Sequence, residues 1–453
     1  MFSALPGRGG DLPPQPPYFK DVQTAEFWLR RLAQPERLIM SGEQIVCFNQ
    51  EIRKRHPQVI RDLAAHQEEL PGVCIEEMLK EREFPSKPLY HQGQPLEQPF
   101  FDSLLQEMNL QGLESVCKMK YAYSIRSTSV RSFPSDLFIT DDPADQEFDL
   151  FQETSLDPAE PLVILHESRS KRWIFAQSSF CRGWISARRL AVAASRRIWL
   201  AYLHEERLLT VTGSRLRLGY NPYSPGISEL EFKMGARIPL AAREEIPEAI
   251  DNQSPIGCYV VKLPVHDSLG ELTFKPALVP SAGDVSIGYL PYTRGAVIRQ
   301  AFKMHGERYG WGGLFNSRDC SAFVRDIYRC FGFQFPRNSR EQGLLPGNSF
   351  SPAGASRRRR QRLLEQIGTG AILFFPGHVM VYLGKHRDEY YVIHAIAYFG
   401  DQEKGDADGG CLPAPLNAVT VSPLSLRRRS GEELLMALAA LIEIESADCI
   451  SGS

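Results

Sequence analysis

The segment opened by Asp319-Cys320-Ser321, together with three apolar runs downstream of it, constrains the fold of this chain more than any other feature. After Cys320 the apolar residues Phe323, Val324, Ile327, Tyr328 and Phe331 recur at helical spacing and stop before Gly332. That pattern predicts a helix with Asp319 near its N-cap and Cys320 in its first turn. Ala371 to Phe375, His378 to Leu383 and Tyr390 to His394 are dense in aliphatic and aromatic residues and are broken by Pro376-Gly377 and Gly384, which predicts three strands. The C-terminal part is therefore expected to pack a cysteine-headed helix on an antiparallel sheet.

Two groups in this frame carry chemistry, a thiol and an imidazole. A thiol in the first turn feels the positive end of the helix dipole, which predicts a lowered pKa for Cys320. Period two sets His378, Met380 and Tyr382 on one face of the second strand, and Tyr390, Val392 and His394 on one face of the third. A hairpin with His378 opposite His394 would bring the two rings within about 5 Å, and a one-residue slip would part them. In that arrangement Cys320 attacks a carbonyl carbon, His378 takes and returns the proton, and His394 orients His378 and selects its tautomer. Upstream, Tyr309-Gly310-Trp311-Gly312-Gly313 would let backbone approach a ligand closely. Spacing alone also fits a packing cysteine and satisfied structural histidines.

Five motifs in order resemble the signature of the NlpC/P60 family of cell-wall peptidases. They are Tyr309-Gly310-Trp311-Gly312-Gly313, Asp319-Cys320-Ser321-Ala322, the run Pro336 to Gln342, the run His378 to Gly384, and Val392-Ile393-His394-Ala395. An ordered series is far more specific than any one motif. Two positions depart from the family pattern: Ala322 stands where Gly is usual, and Gly370-Ala371 where Gly-Asp is frequent. The resemblance implies a papain-like domain with Cys320 as nucleophile, His378 as base and His394 as third member. It also implies Tyr309 beside the cysteine, helping backbone N–H groups to stabilise an oxyanion, with Asp319 and Ser321 facing substrate. Ser339 is a further substrate contact by family position, or a plain turn hydroxyl.

The remainder suggests a multidomain α+β chain, since 453 residues accommodate about two to four domains. Residues 1–118 read as a helical region behind a Pro/Gly-rich leader, Gly7 to Pro17, expected to be disordered; Thr24 to Leu32 is helical in pattern, and Ser41 with Gln44 forms a capping-box pair. Residues 119–195 read as a first SH3-like β barrel, with short strands at Phe148 to Gln152, Pro161 to His166, Arg172 to Ala176 and Gly183 to Ile185. Its Gly183-Trp184-Ile185 resembles the end of bacterial SH3 domains. Residues 196–285 read as a second SH3-like barrel and 286–453 as the peptidase domain.

Two such barrels before the peptidase resemble the γ-D-glutamyl-L-diamino acid endopeptidases. That branch implies hydrolysis of the bond between γ-D-Glu and meso-diaminopimelate or Lys in murein stem peptides, with preference for a free N-terminal L-Ala. A neighbouring barrel can wall off one end of the cleft, admitting an amine but not the glycan, and Asp319 is the expected partner of that ammonium. An aromatic of the first barrel is expected to complete the pocket near Phe180 and Cys181. The barrels also fit wall-anchoring modules, but the connection from Gly283 to Arg294 is short and apolar for a tether. Competing functions are thiol-dependent amide or acyl transfer on another substrate, and a non-catalytic wall-binding module.

Composition narrows the partners. The net charge of −2 gives no electrostatic footprint for nucleic acid. Arg357 to Arg360 and Arg427 to Arg429 read as a solvated loop and a helix-flanking cluster, and His305 and His386 as surface residues. The 9 cysteines form no CxxC pair, so neither a disulfide framework nor a zinc site is indicated, and no cofactor is expected. No stretch is apolar enough to span a membrane. The expected partner is a murein stem peptide met by a monomer, in the envelope or periplasm, with cytoplasmic recycling as the alternative.

Overall fold

The computed structural model describes residues 19–405 and 411–445; the leader from Gly7 to Pro17 lies outside them. The helix Gly42–Arg55 begins with the expected capping box: Gln44 N donates to Ser41 Oγ at 3.3 Å and Ser41 N to Gln44 Oε1 at 2.8 Å. Its apolar face, Ile45, Phe48 and Ile52, packs beside Phe333 and Phe335, with the Phe48 and Phe333 rings 5.2 Å apart. Farther along, the helices Gly72–Lys80 and Gln98–Glu107 bury Ile75, Leu79 and Leu104 against Phe151, Phe175 and Trp184. The amphipathic helices of the N-terminal region thus spend their apolar faces on two different neighbours.

The first barrel region is a seven-stranded antiparallel sheet. Its order is Leu190–Val192, Lys120–Ser124, Pro161–Glu167, Trp173–Gln177, Arg182–Ser186, Thr128–Arg131 and Gln152–Leu156. Inward alternation places Trp184 and Phe175 in the core, their rings 5.3 Å apart. One expected strand is corrected: the segment from Phe148 to Phe151 is a turn, and pairing starts at Gln152. The cause is Asp149, whose Oδ1 accepts the N–H groups of Phe151 at 3.0 Å and Ile139 at 3.2 Å while its carboxylate pairs with buried Arg131.

A second β unit follows. Leu208–Val211 lies between Arg237–Pro239 and Val285–Ile287, beside the pair Arg215–Arg217 and Glu231–Lys233 and the long hairpin Cys258–His266 with Leu272–Pro280. Leu209, Val211, Phe232, Ile238, Val261 and Val279 fill its core. No loose tether leads onward, because Tyr292–Thr293 pairs at once with Leu38–Met40 of the N-terminal region.

The C-terminal sheet has six antiparallel strands, in the order Asn348–Phe350, Ala440–Glu443, Ile372–Phe375, His378–His386, Glu389–Gly405 and Cys411–Pro423. The helix Cys320–Arg329 packs across the His378–His386 and Glu389–Gly405 strands, with Phe323, Val324, Ile327 and Tyr328 buried. Each such side chain contributes about 1.5–3 kcal/mol through burial, enough to fix the rotation of the helix and so the direction of Cys320. Among the described residues no helix is long and apolar enough to cross a membrane.

Three surface expectations are corrected. Arg357 to Arg360 belong to the helix Arg357–Leu364, and Arg360 is buried, donating to the Leu438 carbonyl at 2.7 Å. His305 is half-buried, its Nε2 2.6 Å from Gln23 Oε1, and half-buried His386 meets the Phe27 ring edge-on at 5.0 Å. Both histidines fasten the N-terminal helices to the C-terminal domain.

Candidate active site

Asp319 caps the cysteine helix, accepting the Ala322 N–H at 2.9 Å and the Ser321 hydroxyl at 3.1 Å on Oδ1, and the Gly312 N–H at 3.1 Å on Oδ2. Arg337 closes over it as a two-pronged fork, Nη1 to Oδ1 at 3.0 Å and Nη2 to Oδ2 at 2.6 Å. The same guanidinium reaches Ser321 Oγ at 2.9 Å and Thr154 Oγ1 of the first β unit at 2.6 Å. Asp319, Ser321 and Arg337 are all buried. The carboxylate expected to face substrate is therefore already spent on Arg337. Burial pushes the Asp319 carboxyl up, but the Arg337 guanidinium outweighs it and holds the group below the ordinary range.

Cys320 occupies the first turn, 7% exposed, with the Val379 N–H directed at its sulfur. Burial and the Asp319 charge push its thiol up to about 12, the opposite of the lowering expected from the helix dipole. Tyr309 is buried next to Cys320 and Asp319, and burial followed by those two neighbours holds its hydroxyl protonated. Ser339 is half-buried at the start of the helix Ser339–Gln342 and makes no hydrogen bond to this cluster among the described residues. Gln342, the last residue of the Pro336 to Gln342 motif and assigned no role from sequence, locks that turn by donating to the Ser321 and Pro336 carbonyls at 2.9 and 2.8 Å.

The two histidines meet, although not by the expected register. The strands pair Val381 with Ile393, which continues to Met380 beside His394 and leaves His378 as its diagonal neighbour. Their side chains share a face and lean together, so that His378 Nε2 lies 2.7 Å from His394 Nδ1. His394 Nε2 lies 3.0 Å from the hydroxyl of buried Ser422, on the Cys411–Pro423 strand. Burial, then the Arg428 guanidinium, pulls His378 down to about 4; burial and His378 hold fully enclosed His394 well below the usual histidine range. Both rings are neutral near pH 7. Sequence reasoning missed Ser422, which lies far along the chain with no motif around it, and read Arg428 only as part of the basic run Arg427 to Arg429.

The glycine-rich stretch faces a domain instead of a ligand. Gly312 and Gly313 have φ of +56° and +82°, and a Cβ on either would sit 2.7 Å from Gln152 Cγ or 2.2 Å from Ser155 Oγ. Gln152 Nε2 donates to the Gly312 carbonyl at 2.9 Å, and Trp311 Nε1 to that of Asp149 at 3.1 Å. The turn of the first β unit thereby sets Phe148 among Tyr309, Trp311 and Tyr398, at ring distances of 6.2, 5.6 and 6.1 Å. Beside it Glu147 accepts from the Tyr398 hydroxyl at 2.8 Å and from Asn417 and Arg308. Phe180, where a pocket aromatic was expected, instead stacks on Arg325 at 3.6 Å, away from this cluster. Among the described residues no group of histidine, cysteine and acidic side chains could hold a metal ion, and 7 cysteines are unpaired; the side chains of Cys411 and Cys449 lie outside them.

Comparison with known proteins places this geometry. No curated protein matches the chain. A solved NlpC/P60 endopeptidase from Photobacterium damselae subsp. piscicida is 16% identical with a TM-score of 0.73, over 92% of this chain and 96% of that one. An NlpC/P60 family protein from Bacillus cereus ATCC 10987 is 18% identical with a TM-score of 0.44, over 65% of this chain and 83% of its own. The first likeness shows a shared fold through nearly the whole length. Residues 139–186 match the SH3 domain of the SH3b1 type, and residues 306–397 match the NlpC/P60 family. The chain therefore carries an SH3b-type domain followed by an NlpC/P60 family domain that contains Cys320, His378 and His394.

Proposed function

We propose that this protein is a cysteine endopeptidase of murein stem peptides, cleaving the amide between γ-D-Glu and meso-diaminopimelate or Lys. The observation that carries the reading is the 2.7 Å contact from His378 Nε2 to His394 Nδ1, backed by Ser422 at 3.0 Å. It leaves His378 Nδ1 as the ring nitrogen available to Cys320. With Ser422 Oγ accepting from His394 Nε2–H, His394 Nδ1 holds a lone pair towards His378. When His378 takes the thiol proton on Nδ1, its Nε2–H donates to that lone pair, so the imidazolium is stabilised without a second charge in the site. Cys320 Sγ then bonds to the γ-glutamyl carbonyl carbon, and the Tyr309 hydroxyl and backbone N–H groups hold the oxyanion. The leaving amine takes the proton from His378, and water hydrolyses the thioester by the reverse transfer.

Asp319, held by Arg337, acts in this reading as a positioning group that fixes the helix start, with Ser321 beside it. Ser339 remains a substrate contact at the cleft margin. The free amine of L-Ala meets the ring faces of Phe148, Tyr309, Trp311 and Tyr398, which favour a cation. A rigidly docked wall of this kind, with Gln152 and Thr154 bonded across the junction, suits a cleft-shaping role for the first β unit better than a tethered anchor. The substrate class suits a site of action in the cell envelope.

Mass spectrometry of L-Ala-γ-D-Glu-meso-diaminopimelate, beside its N-acetylated form and a Cys320→Ala control, tests the reading. Release of L-Ala-γ-D-Glu from the free-amine peptide alone, and only with Cys320, is expected. Equal cleavage of both peptides would remove the amine preference, and no cleavage of either would overturn the endopeptidase.

A further inference from the structure

Behind the cysteine helix lies a cavity of about 310 Å³ where all parts of the chain converge. The N-terminal region contributes Arg53 and Arg61, the first β unit Phe180, the second Arg237, and the C-terminal domain Arg325 and Arg329. Arg325 forms its floor. It is 7% exposed and its guanidinium stacks on Phe180 at 3.6 Å, yet no hydrogen bond reaches it among the described residues, and the nearest carboxylate oxygen, on Asp326, is 3.9 Å away. Burial and the neighbouring Arg329 lower its pKa to about 10, so the cation persists at neutral pH with Asp326 and Glu160 as counter-charges beyond hydrogen-bond distance.

The other cations divide unevenly. The two acids lining the cavity each stand 3.9 Å from one arginine, Asp62 from Arg53 and Glu160 from Arg329. Arg329 also approaches Asp157 at 3.4 Å. The Arg61 guanidinium makes no hydrogen bond or ion pair among the described residues, with Glu81 acting on it only through space and Arg182 opposing it, and exposed Arg237 donates only to the Tyr289 hydroxyl at 2.9 Å. Arg61, Arg237 and Arg325, on three separate parts of the fold, and Arg53 beside Arg61, therefore have no carboxylate within hydrogen-bond distance around one solvent-reachable space. A buried cation left in this way is costly unless an anion completes it.

We propose that this cavity is a binding site for a phosphate-class anion, a phosphomonoester or diphosphate, held by Arg61, Arg237 and Arg325. A tetrahedral polyanion presents acceptors in several directions and can serve forks arriving from different elements, whereas one planar carboxylate is satisfied by a single fork. The site is separate from the Cys320–His378 cleft, and its occupant would tie the N-terminal region and the second β unit to the cysteine helix.

Isothermal titration calorimetry of the full chain with inorganic phosphate, pyrophosphate and succinate, at fixed ionic strength, tests the proposal. Saturable 1:1 binding of phosphate or pyrophosphate, tighter than succinate by at least about tenfold and unchanged in Cys320→Ala, is expected. Arg325→Gln should weaken it about tenfold or more. Because that buried change could impair folding, the rim variant Arg61→Gln/Arg237→Gln serves as the second measurement and should weaken binding equally. Absence of saturable binding, equal or tighter binding of succinate, or full retention by the rim variant would overturn the site.

Discussion

At Cys320 the helix dipole and burial act in opposite directions, and burial together with the Asp319 charge prevails. The thiol stands at about 12 and His378 at about 4, so the thiol keeps its proton and the imidazole stays neutral throughout the range between them. In the proposed mechanism the two therefore form a neutral pair that transfers its proton as substrate binds, in place of a standing thiolate–imidazolium pair. Alkylation of Cys320 by iodoacetamide in the substrate-free protein should accordingly keep rising with pH above 9; a plateau between pH 4 and 7 would show the ion pair instead. Ser422 backs His394 at 3.0 Å and in the proposed mechanism governs the same proton path. Ser422→Ala removes one hydrogen bond worth about 1 kcal/mol, and should lower kcat about fivefold with KM little changed. Ser422→Thr, which keeps the hydroxyl, should recover most of the rate.

At the scale of elements, the start of the cysteine helix is fixed by a buried ion pair within its own domain, which a hydrogen bond ties to the first β unit. Arg337 grips Asp319 through two bonds and Thr154 through a third. Truncating it strands a buried carboxylate, so Arg337→Ala should lose about 3–5 kcal/mol in urea unfolding. Arg337→Lys should recover only part, since an ammonium cannot reproduce the fork. Unchanged stability in both would mean that water replaces the pair. The helix itself and the three strands were legible in the sequence because apolar periodicity reports directly on which face is buried. Register was not: a bulge between Tyr382 and Gly384 sets the pairing, and nothing in the local residue pattern records it.

At the scale of the whole molecule, the first β unit packs on the glycine-rich stretch beside Cys320, and in the proposed function it forms one wall of the cleft. Its contribution comes from a turn, Glu147 to Phe151, in a segment where the sequence suggests a strand from Phe148 to Gln152. Phe148→Ala should narrow the discrimination between free-amine and N-acetylated peptides about fivefold, the effect of losing a cation–π contact of about 1 kcal/mol, while kcat on the free peptide changes less. Selectivity left intact by this variant would move the amine contact elsewhere. The N-terminal region belongs to the same assembly, since Phe48 packs on Phe333 and Asn49 Nδ2 donates to the Gly332 carbonyl at 2.9 Å.

The sequence by itself determined the cysteine helix with its Asp319 N-cap, the Ser41 capping box, three of the six C-terminal strands and the residue types of the site, because each depends on neighbours within a few positions. Tertiary structure decided the rest. Whether Asp319 meets solvent or Arg337, whether the glycines admit a ligand or Gln152 and Ser155, and which hydroxyl backs His394 all depend on groups distant in sequence. Burial then decides protonation, because the desolvation that keeps Cys320 and His378 neutral arises only when the domains close around them.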